Sequence, residues 1–316
     1  MKATVTGGAG FIGSHVVDAL LAAGADVVVL DDLSTGHEDN VDPRAELLVA
    51  SITDGDMVAK AVDSSDLVVH LAASRAVLAS VERPLETDRI NVGGSLQVLD
   101  AARQAGVRRV VSASSSSVYG GADQLPTPET QPANPRSPYA VSKLTAEHYL
   151  RVFTELYGLE TVSLRFFNVY GPRQRPDSRY AAVIPLFIRA ISEDRSPEVH
   201  GDGQQSRDFT YIADVIAAVM RAATAPAEQC SGKVYNVAGG GRYTLLDLLD
   251  VLEDQIGNRP ARRHVEPRAG DVRHSQADIA AARRDLGFDP TVGLADGLAR
   301  TIEWARQGAP TPRGSS

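Results

Sequence analysis

Residues 6–13 have the sequence Thr6-Gly7-Gly8-Ala9-Gly10-Phe11-Ile12-Gly13. A short apolar run, residues 3–6, leads into the glycines, and an amphipathic run, residues 14–23, follows them. A second apolar run, Asp26–Leu30, ends at the acidic pair Asp31-Asp32. This order predicts strand, glycine turn, helix, strand and acid, which is the layout of a dinucleotide-binding unit. The glycines would allow a tight turn and a close approach to a pyrophosphate at the helix N-terminus.

Asp31 follows the last glycine by about 20 residues, where such units carry the acid that binds the adenosine ribose. A carboxylate at this position would accept hydrogen bonds from the ribose hydroxyls and would repel a 2′-phosphate. We therefore expect NAD rather than NADP as the cofactor.

Apolar runs and helical patterns continue to alternate after this unit. The sequence predicts strands at Glu46–Ala50, Leu67–Leu71 and Arg109–Ala113, and helices at Thr53–Val62 and Thr87–Ala105. Regular alternation indicates a doubly wound α/β fold, whose parallel sheet is covered on both faces. Ligands of such a sheet bind at the carboxyl ends of its strands.

A further helix is predicted to start in Ser137-Pro138-Tyr139-Ala140-Val141-Ser142-Lys143. Proline suits the first helical turn because its φ is already helical and its missing N–H would be unpaired there. Tyr139 and Lys143 would then lie four residues apart on one face. An ammonium group beside the phenol would lower the phenol pKa and make it a base for an alcohol proton. The spacing alone is more typical of surface or packing residues.

Composition restricts the class of protein. The chain has 316 residues, 43% hydrophobic and 23% charged, as in soluble globular proteins. A single cysteine, Cys230, excludes an internal disulfide and the usual cysteine-rich zinc sites, and no metal is expected. The net charge of −8 argues against nucleic acid or an anionic membrane as a partner.

No apolar run approaches the roughly 20 residues of a membrane-spanning helix, and no leader pattern is found, so a cytoplasmic protein is expected. His70, inside an apolar run, is expected to be a hydrogen-bonded core residue.

The sequence resembles the extended short-chain dehydrogenase/reductase superfamily, and within it the NAD-dependent nucleotide-sugar epimerases and dehydratases. The matching segments follow the order of the family along nearly the whole chain: residues 6–13, Asp31-Asp32, His70–Ala73, Ser114–Gly120, Tyr139 with Lys143, Arg165–Pro172, Gly201–Gly203, Arg207–Phe209 and Gly270–Val272. The UDP-sugar 4-epimerases are the most similar group.

The resemblance implies a division of the chain. Residues 1–165 would form an NAD-binding Rossmann domain that also carries the catalytic residues. Residues 166–307 would form a smaller C-terminal α/β domain that mainly binds the nucleotide sugar, with some segments returning to the first domain. Residues 308–316 would be a flexible tail. The family also implies a homodimer packed through helices at residues 87–105 and 142–157.

The family positions that bind NAD can be identified one by one. They are Gly7, Gly10, Phe11, Ile12, Gly13, Asp31, Asp32, Ser34, Thr35, Gly36, Ser51, Ile52, Leu71, Ala72, Ala73, Asn91, Tyr139, Lys143 and Phe166. Lys143 would bind the nicotinamide ribose. Ser51 departs from the family, since relatives often carry there an acid that contacts adenine.

The resemblance also implies catalytic roles for Ser115, Tyr139 and Lys143. Dehydratase relatives carry an Asp-Glu pair directly after the catalytic hydroxyl, because removal of water needs a separate acid and base. Ser116 and Ser117 occupy these places here, and hydroxyls cannot do that work at neutral pH. Decarboxylase relatives keep the Glu, which is again absent. An epimerase needs only Tyr139, Ser115 and the nicotinamide.

The implied substrate contacts are Ser115, Ser116, Asn168, Val183, Arg207, Arg268, Asp271 and Ser275. Narrow UDP-glucose epimerases carry tyrosine where Ser275 stands, so a small residue predicts room for an N-acetyl group. The expected function is 4-epimerisation of UDP-glucose and UDP-galactose, and of UDP-N-acetylhexosamines. The alternatives are a UDP-glucuronate 4-epimerase, a dehydratase, decarboxylase or 4-keto reductase of the same superfamily, and a non-catalytic NAD-binding sensor.

Overall fold

The computed structural model describes residues 1–121, 124–176, 181–267 and 272–307. Its strands in chain order are β1 (Lys2–Thr6), β2 (Asp26–Asp31), β3 (Glu46–Val49), β4 (Leu67–His70), β5 (Arg109–Ser115), β6 (Glu160–Phe166), β7 (Val169–Tyr170), β8 (Glu198–His200), β9 (Ser206–Arg207), β10 (Thr210–Tyr211), β11 (Lys233–Val237), β12 (Tyr243–Thr244) and β13 (Arg263–Val265).

The helices of the described residues, in chain order, are α1 (Phe11–Ala22), α2 (Gly55–Val62), α3 (Val77–Glu82), α4 (Pro84–Asp88), α5 (Ser95–Gln104), α6 (Pro138–Tyr157), α7 (Val183–Ser192), α8 (Ile212–Thr224), α9 (Ala227–Cys230), α10 (Leu245–Ile256), α11 (Ala280–Leu286) and α12 (Leu294–Arg306). None of them is long and apolar enough to cross a membrane.

Seven strands form one parallel sheet in the order β11-β6-β5-β4-β1-β2-β3. The predicted doubly wound α/β fold is therefore confirmed. The strands are apolar runs because both faces are covered: β1 and α1 belong to one buried cluster, while α2 and α5 pack into the other. Two elements of the second half of the chain belong to this layer: strand β11 joins the sheet beside β6, and helix α8 packs against β5 and β6.

The strand ends on one edge of the sheet are aligned. Thr6 is paired with His70, and His70 with Ser112. Farther along the same edge, Ser115 is paired with Phe166. The loops after β1, β4, β5 and β6 therefore open onto one edge, which is where a parallel sheet binds its ligands.

The predicted helix at residues 87–105 is confirmed, since the chain is helical from Pro84 to Gln104, but it is not α-helical throughout. Helices α4 and α5 are separated by a π-helical turn, Arg89–Gly94. The Ser95 hydroxyl donates a hydrogen bond of 2.5 Å to Asn91 O, and the turn contains two glycines, which are poor helix formers. The turn points the Asn91 side chain inward, where it is buried.

Helix α6 begins where the sequence predicts. Pro138 occupies the first turn, and the Ser137 hydroxyl accepts a hydrogen bond of 3.1 Å from Ala140 N. Helix α1, in contrast, starts at Phe11 rather than at the predicted Ser14, because Gly10 already acts as its N-cap. The earlier start brings the N-terminus of α1 directly behind the glycine turn.

Candidate active site

The glycine turn after β1 packs closely against the loop after β4. Gly7 has a φ of +73°, and a Cβ added to it would lie 2.7 Å from Ala72 N. A Cβ on Gly13 would overlap Gly7 O. The first N–H groups of α1 have no partners within the helix, so they are available to a ligand. The close glycine turn and these donors fit a pyrophosphate.

Asp31 lies at the end of β2 beside the glycine turn. Its Oδ2 accepts a hydrogen bond from Ala9 N at 3.0 Å, and its Oδ1 accepts one from Leu33 N at 2.9 Å. Burial raises the pKa of this carboxyl, while the two backbone donors oppose the rise. Each oxygen keeps a lone pair for a ribose hydroxyl. The turn, the helix N-terminus and Asp31 together fit NAD.

Four more of the residues predicted to contact NAD, Asp32, Ser34, Thr35 and Gly36, follow Asp31 in the loop after β2. Asp32, Ser34 and Thr35 are exposed, and Asp32 Oδ1 accepts hydrogen bonds from Ser34 N and Oγ. A Cβ on Gly36 would lie 2.8 Å from Asp31 Oδ1. Their contacts with the cofactor remain predictions.

Asn91 fastens the loop after β4 to helix α6. Its Nδ2 donates to Ser74 O and to Ser142 Oγ, both at 3.0 Å, and its Oδ1 accepts from Ser74 N at 2.8 Å. The polar atoms of the Asn91 amide are thereby used within the protein. These bonds fix the Asn91 side chain at the strand ends, and its contact with NAD stays a prediction.

Ser115, Tyr139 and Lys143, the predicted catalytic residues, lie together at the end of β5. Tyr139 and Lys143 share one face of α6, and Lys143 Nζ donates a hydrogen bond of 3.0 Å to Ala113 O. The Ser115 hydroxyl forms a hydrogen bond with the Tyr139 phenol. Tyr139 N donates to Ser80 Oγ at 3.1 Å, a contact that no sequence motif indicated.

The prediction that Lys143 lowers the pKa of Tyr139 is not what the structure shows. Burial raises the pKa of the phenol, and the hydrogen bond with Ser115 and the charge of Arg75 oppose that rise. Burial also lowers the pKa of Lys143 to about 8, against the effect of the Glu147 carboxylate. Among the described residues, Arg75 is the cation that acts on the phenol. No sequence pattern singled it out, because one arginine in a loop resembles surface charge.

His70 is a hydrogen-bonded core residue, as predicted. Its Nδ1 lies 2.7 Å from Thr6 Oγ1 and its Nε2 lies 2.9 Å from Ser95 Oγ. Burial, aided by the charge of Lys143, lowers its pKa to about 3. The ring is therefore neutral in the folded protein at neutral and mildly acidic pH.

This neutral histidine makes stability depend on pH. The unfolded chain binds a proton at His70 below its ordinary pKa of 6.5, whereas the folded protein does not. Its contribution to stability is therefore present above pH 6.5 and is lost as the pH falls, by about 2 kcal/mol at pH 5. Urea unfolding of the wild type and of His70→Gln at pH 7 and pH 5 measures this. The wild type should lose about 2 kcal/mol more than the variant, and an equal loss in both would contradict the assignment.

Several predicted substrate contacts meet at the segment Ser206–Asp208. Asn168, with a φ of +33°, donates from Nδ2 to Asp208 O at 3.0 Å. Ser275 N donates to Ser206 O at 3.0 Å, so Ser275 lies beside Arg207. Val183 is the first residue of α7, and Ser116 is half-buried after β5.

Arg268 and Asp271, the other two predicted substrate contacts, lie outside the described residues, as does the tail at 308–316. Within the part of the chain that is described, no three His, Cys, Asp or Glu side chains are grouped so that they could hold a metal ion.

The fold and the site define an α/β enzyme that binds a dinucleotide and carries a Ser-Tyr-Lys group at its strand ends. The chain belongs to the NAD-dependent epimerase/dehydratase family, whose model matches residues 3–238. The family predicted from the sequence is thus confirmed, and NAD is its cofactor.

Relatives match almost the full length of the chain. It is 40% identical to the UDP-glucose 4-epimerase of Mycolicibacterium smegmatis over 313 residues, which is 97% of this chain and 99% of the relative. The crystal structure of the UDP-glucose 4-epimerase of Thermotoga maritima with UDP-glucose superposes with a TM-score of 0.93 at 36% identity, covering 97% and 99% of the two chains. The UDP-N-acetylglucosamine 4-epimerase of Methanobrevibacter ruminantium M1, in complex with UDP-N-acetylmuramic acid, gives a TM-score of 0.92 at 37% identity, covering 98% and 99%.

Proposed function

We propose that the protein is an NAD-dependent 4-epimerase of UDP-hexoses, acting on UDP-glucose and UDP-galactose and on UDP-N-acetylhexosamines. The observation that carries the reaction class is the residue set after β5, where the hydroxyls of Ser116 and Ser117 follow Ser115. Ser116 and Ser117 begin a short 3₁₀ helix, Ser116–Tyr119, and Ser117 N and Oγ both donate to the capping Ser115 Oγ. Elimination of water would need ionisable groups at these positions, whereas epimerisation needs a single base. The similarity to UDP-sugar 4-epimerases supports the substrate class.

In this mechanism Tyr139 acts in its ionised form, the phenolate, which takes the proton of the sugar 4-hydroxyl; the hydrogen bond with Ser115 and the charge of Arg75 favour that form against burial. Ser115 would hold the 4-oxygen by a hydrogen bond, while Lys143, whose Nζ donates to Ala113 O, would bind the nicotinamide ribose and add positive charge to the site. When bound, NAD supplies the acceptor and donor of the hydride at carbon 4. The 4-keto sugar must present its other face before Tyr139 returns the proton, so the cleft has to let the sugar turn.

The second half of the chain is proposed to hold the nucleotide. Asn168, Arg207 and Arg268 would bind the diphosphate, because amide and guanidinium groups donate to phosphate oxygens. Val183 would lie along the uracil, and Asp271 would accept from a ribose hydroxyl. Ser275, beside Arg207, would leave space for an N-acetyl group at carbon 2. Residues 166–307 would thus form the main substrate-binding part, and 1–165 the NAD-binding part.

Proton NMR tests the proposal directly. UDP-glucose, UDP-N-acetylglucosamine and UDP-glucuronate are incubated separately with protein and NAD⁺. The account predicts a new anomeric signal from the C4 epimer of the first two sugars, without accumulation of NADH. Turnover of UDP-glucuronate alone would reassign the substrate to the uronate. No turnover of any sugar, with NAD⁺ still bound, would support the non-catalytic sensor.

We also infer a homodimer, as the family resemblance implies. The interface we infer lies on α3, α4 and the start of α6, and only adjoins the helices at residues 87–105 and 142–157 that the resemblance implies. Helices α3, α4 and α6 pack against each other and carry exposed apolar side chains. They are Val77, Leu78, Val81, Leu85 and Val141. A second copy of this surface would cover them, since an exposed apolar patch is typical of an interface. The cytoplasmic location remains a prediction.

Leu85→Glu is expected to produce monomers. Leu85 is 85% exposed, so a charge there costs the single chain little but would be buried at the proposed interface. Sedimentation velocity should show a dimer for the wild type and a monomer for the variant. Val49→Glu is the matched control, because Val49 is 57% exposed on β3, away from these helices. Equal dimerisation of Leu85→Glu and Val49→Glu would refute this interface.

A further inference from the structure

A buried carboxylate lies directly below the candidate catalytic residues. Tyr139, Lys143 and Glu147 follow each other at four-residue spacing on one face of α6, and Glu147 is only 5% exposed. Carboxylates are almost never buried to this extent unless they are paired. The proposed chemistry gives Glu147 no role, so its position requires a reason.

The end of β5 contacts all three residues of this face through successive residues. Ser115 forms a hydrogen bond with Tyr139, and Ala113 O accepts from Lys143 Nζ at 3.0 Å. Between them, Ser114 Oγ donates to Glu147 Oε1 at 2.5 Å. The hydrogen bond between Ser114 and Glu147 is therefore one of three successive contacts that hold α6 against the end of β5.

Arg165 on β6 completes the anchor of the carboxylate. Its Nε donates to Glu147 Oε1 at 2.8 Å, and its Nη2 donates to Oε2 at 2.7 Å. The third nitrogen, Nη1, donates to Tyr119 OH at 2.8 Å, and the guanidinium lies 4.7 Å from the centre of the Tyr119 ring. Planar, two-point pairing of this kind fixes both the position and the charge of the carboxylate.

Lys143 depends on this carboxylate for its charge. Burial lowers the pKa of Lys143 to about 8, and Glu147 is the group whose effect opposes this. The other titratable groups that face Lys143 give no such support in the resting site, since the His70 ring on β4 is neutral and burial favours the protonated phenol of Tyr139 on α6. Arg165 lies behind Glu147 and would repel the ammonium if the carboxylate were removed.

We propose that Glu147 is a positioning residue for the epimerase reaction: anchored by Ser114 and Arg165, its carboxylate stabilises the Lys143 ammonium one helical turn below Tyr139. Its kinetic consequence rests on the proposed function, but its effect on Lys143 does not. Glu147 touches neither substrate nor cofactor in this account. It acts by keeping Lys143 charged in a site where burial favours the neutral amine.

The chain makes a direct measurement of Lys143 practicable. It contains four lysines, Lys2, Lys60, Lys143 and Lys233. Protein labelled with ¹³C at lysine Cε and saturated with NAD⁺ should give four well-separated signals, and Lys143→Met identifies the one from Lys143. Its titration midpoint is then followed by NMR in the wild type and in two variants.

Glu147→Gln and Arg165→Met break the same ion pair and should move the Lys143 midpoint in opposite directions. Glu147→Gln leaves the arginine unpaired and should lower the midpoint by about 1 pH unit or more. Arg165→Met leaves the carboxylate unopposed and should raise it. If both variants shift the midpoint the same way, or neither shifts it, the pair serves only the fold and the proposal is wrong. Should one variant fail to fold, the sign of the other shift still decides.

The kinetic readout separates this proposal from the proposed function. In Glu147→Gln the alkaline limb of kcat should move to lower pH by the same amount as the Lys143 midpoint, with KM for the UDP-sugar little changed. Glu147→Asp keeps the charge and should restore the limb. If the Lys143 midpoint shifts but the alkaline limb of kcat does not, the charge of Lys143 does not limit turnover, and the kinetic consequence proposed for Glu147 is wrong. If no UDP-sugar is turned over at all, the proposed function fails, while the NMR titration still decides the role of Glu147.

Discussion

Tyr139→Phe is expected to lower the epimerase kcat by about 10³-fold, within the range that general acid–base groups contribute. The phenylalanine ring fills the same space but cannot accept the proton of the 4-hydroxyl. Water cannot replace the phenol, since it lacks the fixed hydrogen bond to Ser115. KM for the UDP-sugar and the retention of NAD should change little, because neither depends on a proton transfer. Initial rates by a coupled assay and bound NAD by absorbance measure these quantities.

Tyr149→Phe is the matched control for this substitution. Tyr149 lies on the same helix and packs against the apolar cluster around α2 and α5, and no hydrogen bond links its hydroxyl to a described residue. Its loss should leave turnover unchanged. Full activity of Tyr139→Phe would show that another group is the base, and the mechanism would have to be rebuilt around that group.

Gly13→Ala is expected to abolish NAD retention and to destabilise the fold by about 2–3 kcal/mol. The added Cβ would overlap Gly7 O, a backbone atom that cannot move without opening the turn between β1 and α1. The same turn holds Asp31 through Ala9 N, so the ribose site would shift with it. Thermal unfolding and the amount of NAD retained after gel filtration measure both effects.

Gly93→Ala provides the contrast. Gly93 is a helical glycine like Gly13, but it is exposed, and a Cβ there would meet no atom within 4 Å. The substitution should leave stability and NAD retention unchanged, because the added Cβ would meet only open space. Equal behaviour of the two alanine variants would contradict the close packing of the glycine turn.

The parts of the fold that were predictable depend on local sequence. Pro138 after Ser137 marks a helix start through its own backbone geometry and a capping hydroxyl, and the structure begins α6 there. The glycine motif and the apolar strands carry similar local signals, which is why the sheet and the family could be predicted. The spacing of Tyr139 and Lys143 follows from the helix repeat alone.

The features that were missed depend on contacts between distant segments. The pairing of Glu147 with Arg165 joins residues 18 positions apart, and Ser114 meets Glu147 across 33 positions. No periodicity predicts such a pair. The π-helical turn likewise depends on the partners of Asn91, which lie on a loop and on another helix.

The electrostatics of the base could not be predicted for a related reason. The spacing of Tyr139 and Lys143 places them on one face but does not say where the ammonium points. In the structure it is turned to Ala113 O, and burial dominates the pKa of both groups. The burial of a side chain is set by the folded chain, so its effect on a pKa cannot be read from the sequence. The residue types of the site can be.

We expect the protein to oxidise and then reduce carbon 4 of the sugar within one turnover. UDP-[4-²H]glucose, which carries deuterium on that carbon, tests this directly. The labelled sugar is incubated with the protein and NAD⁺ in ordinary water, and the product is analysed by NMR and mass spectrometry. The account predicts UDP-galactose that keeps its deuterium at carbon 4, with no net NADH. Deuterium at carbon 6 of a 4-keto-6-deoxy sugar would contradict it and assign the protein to elimination chemistry. Loss of the label to solvent would contradict the transfer and return of a hydride at carbon 4.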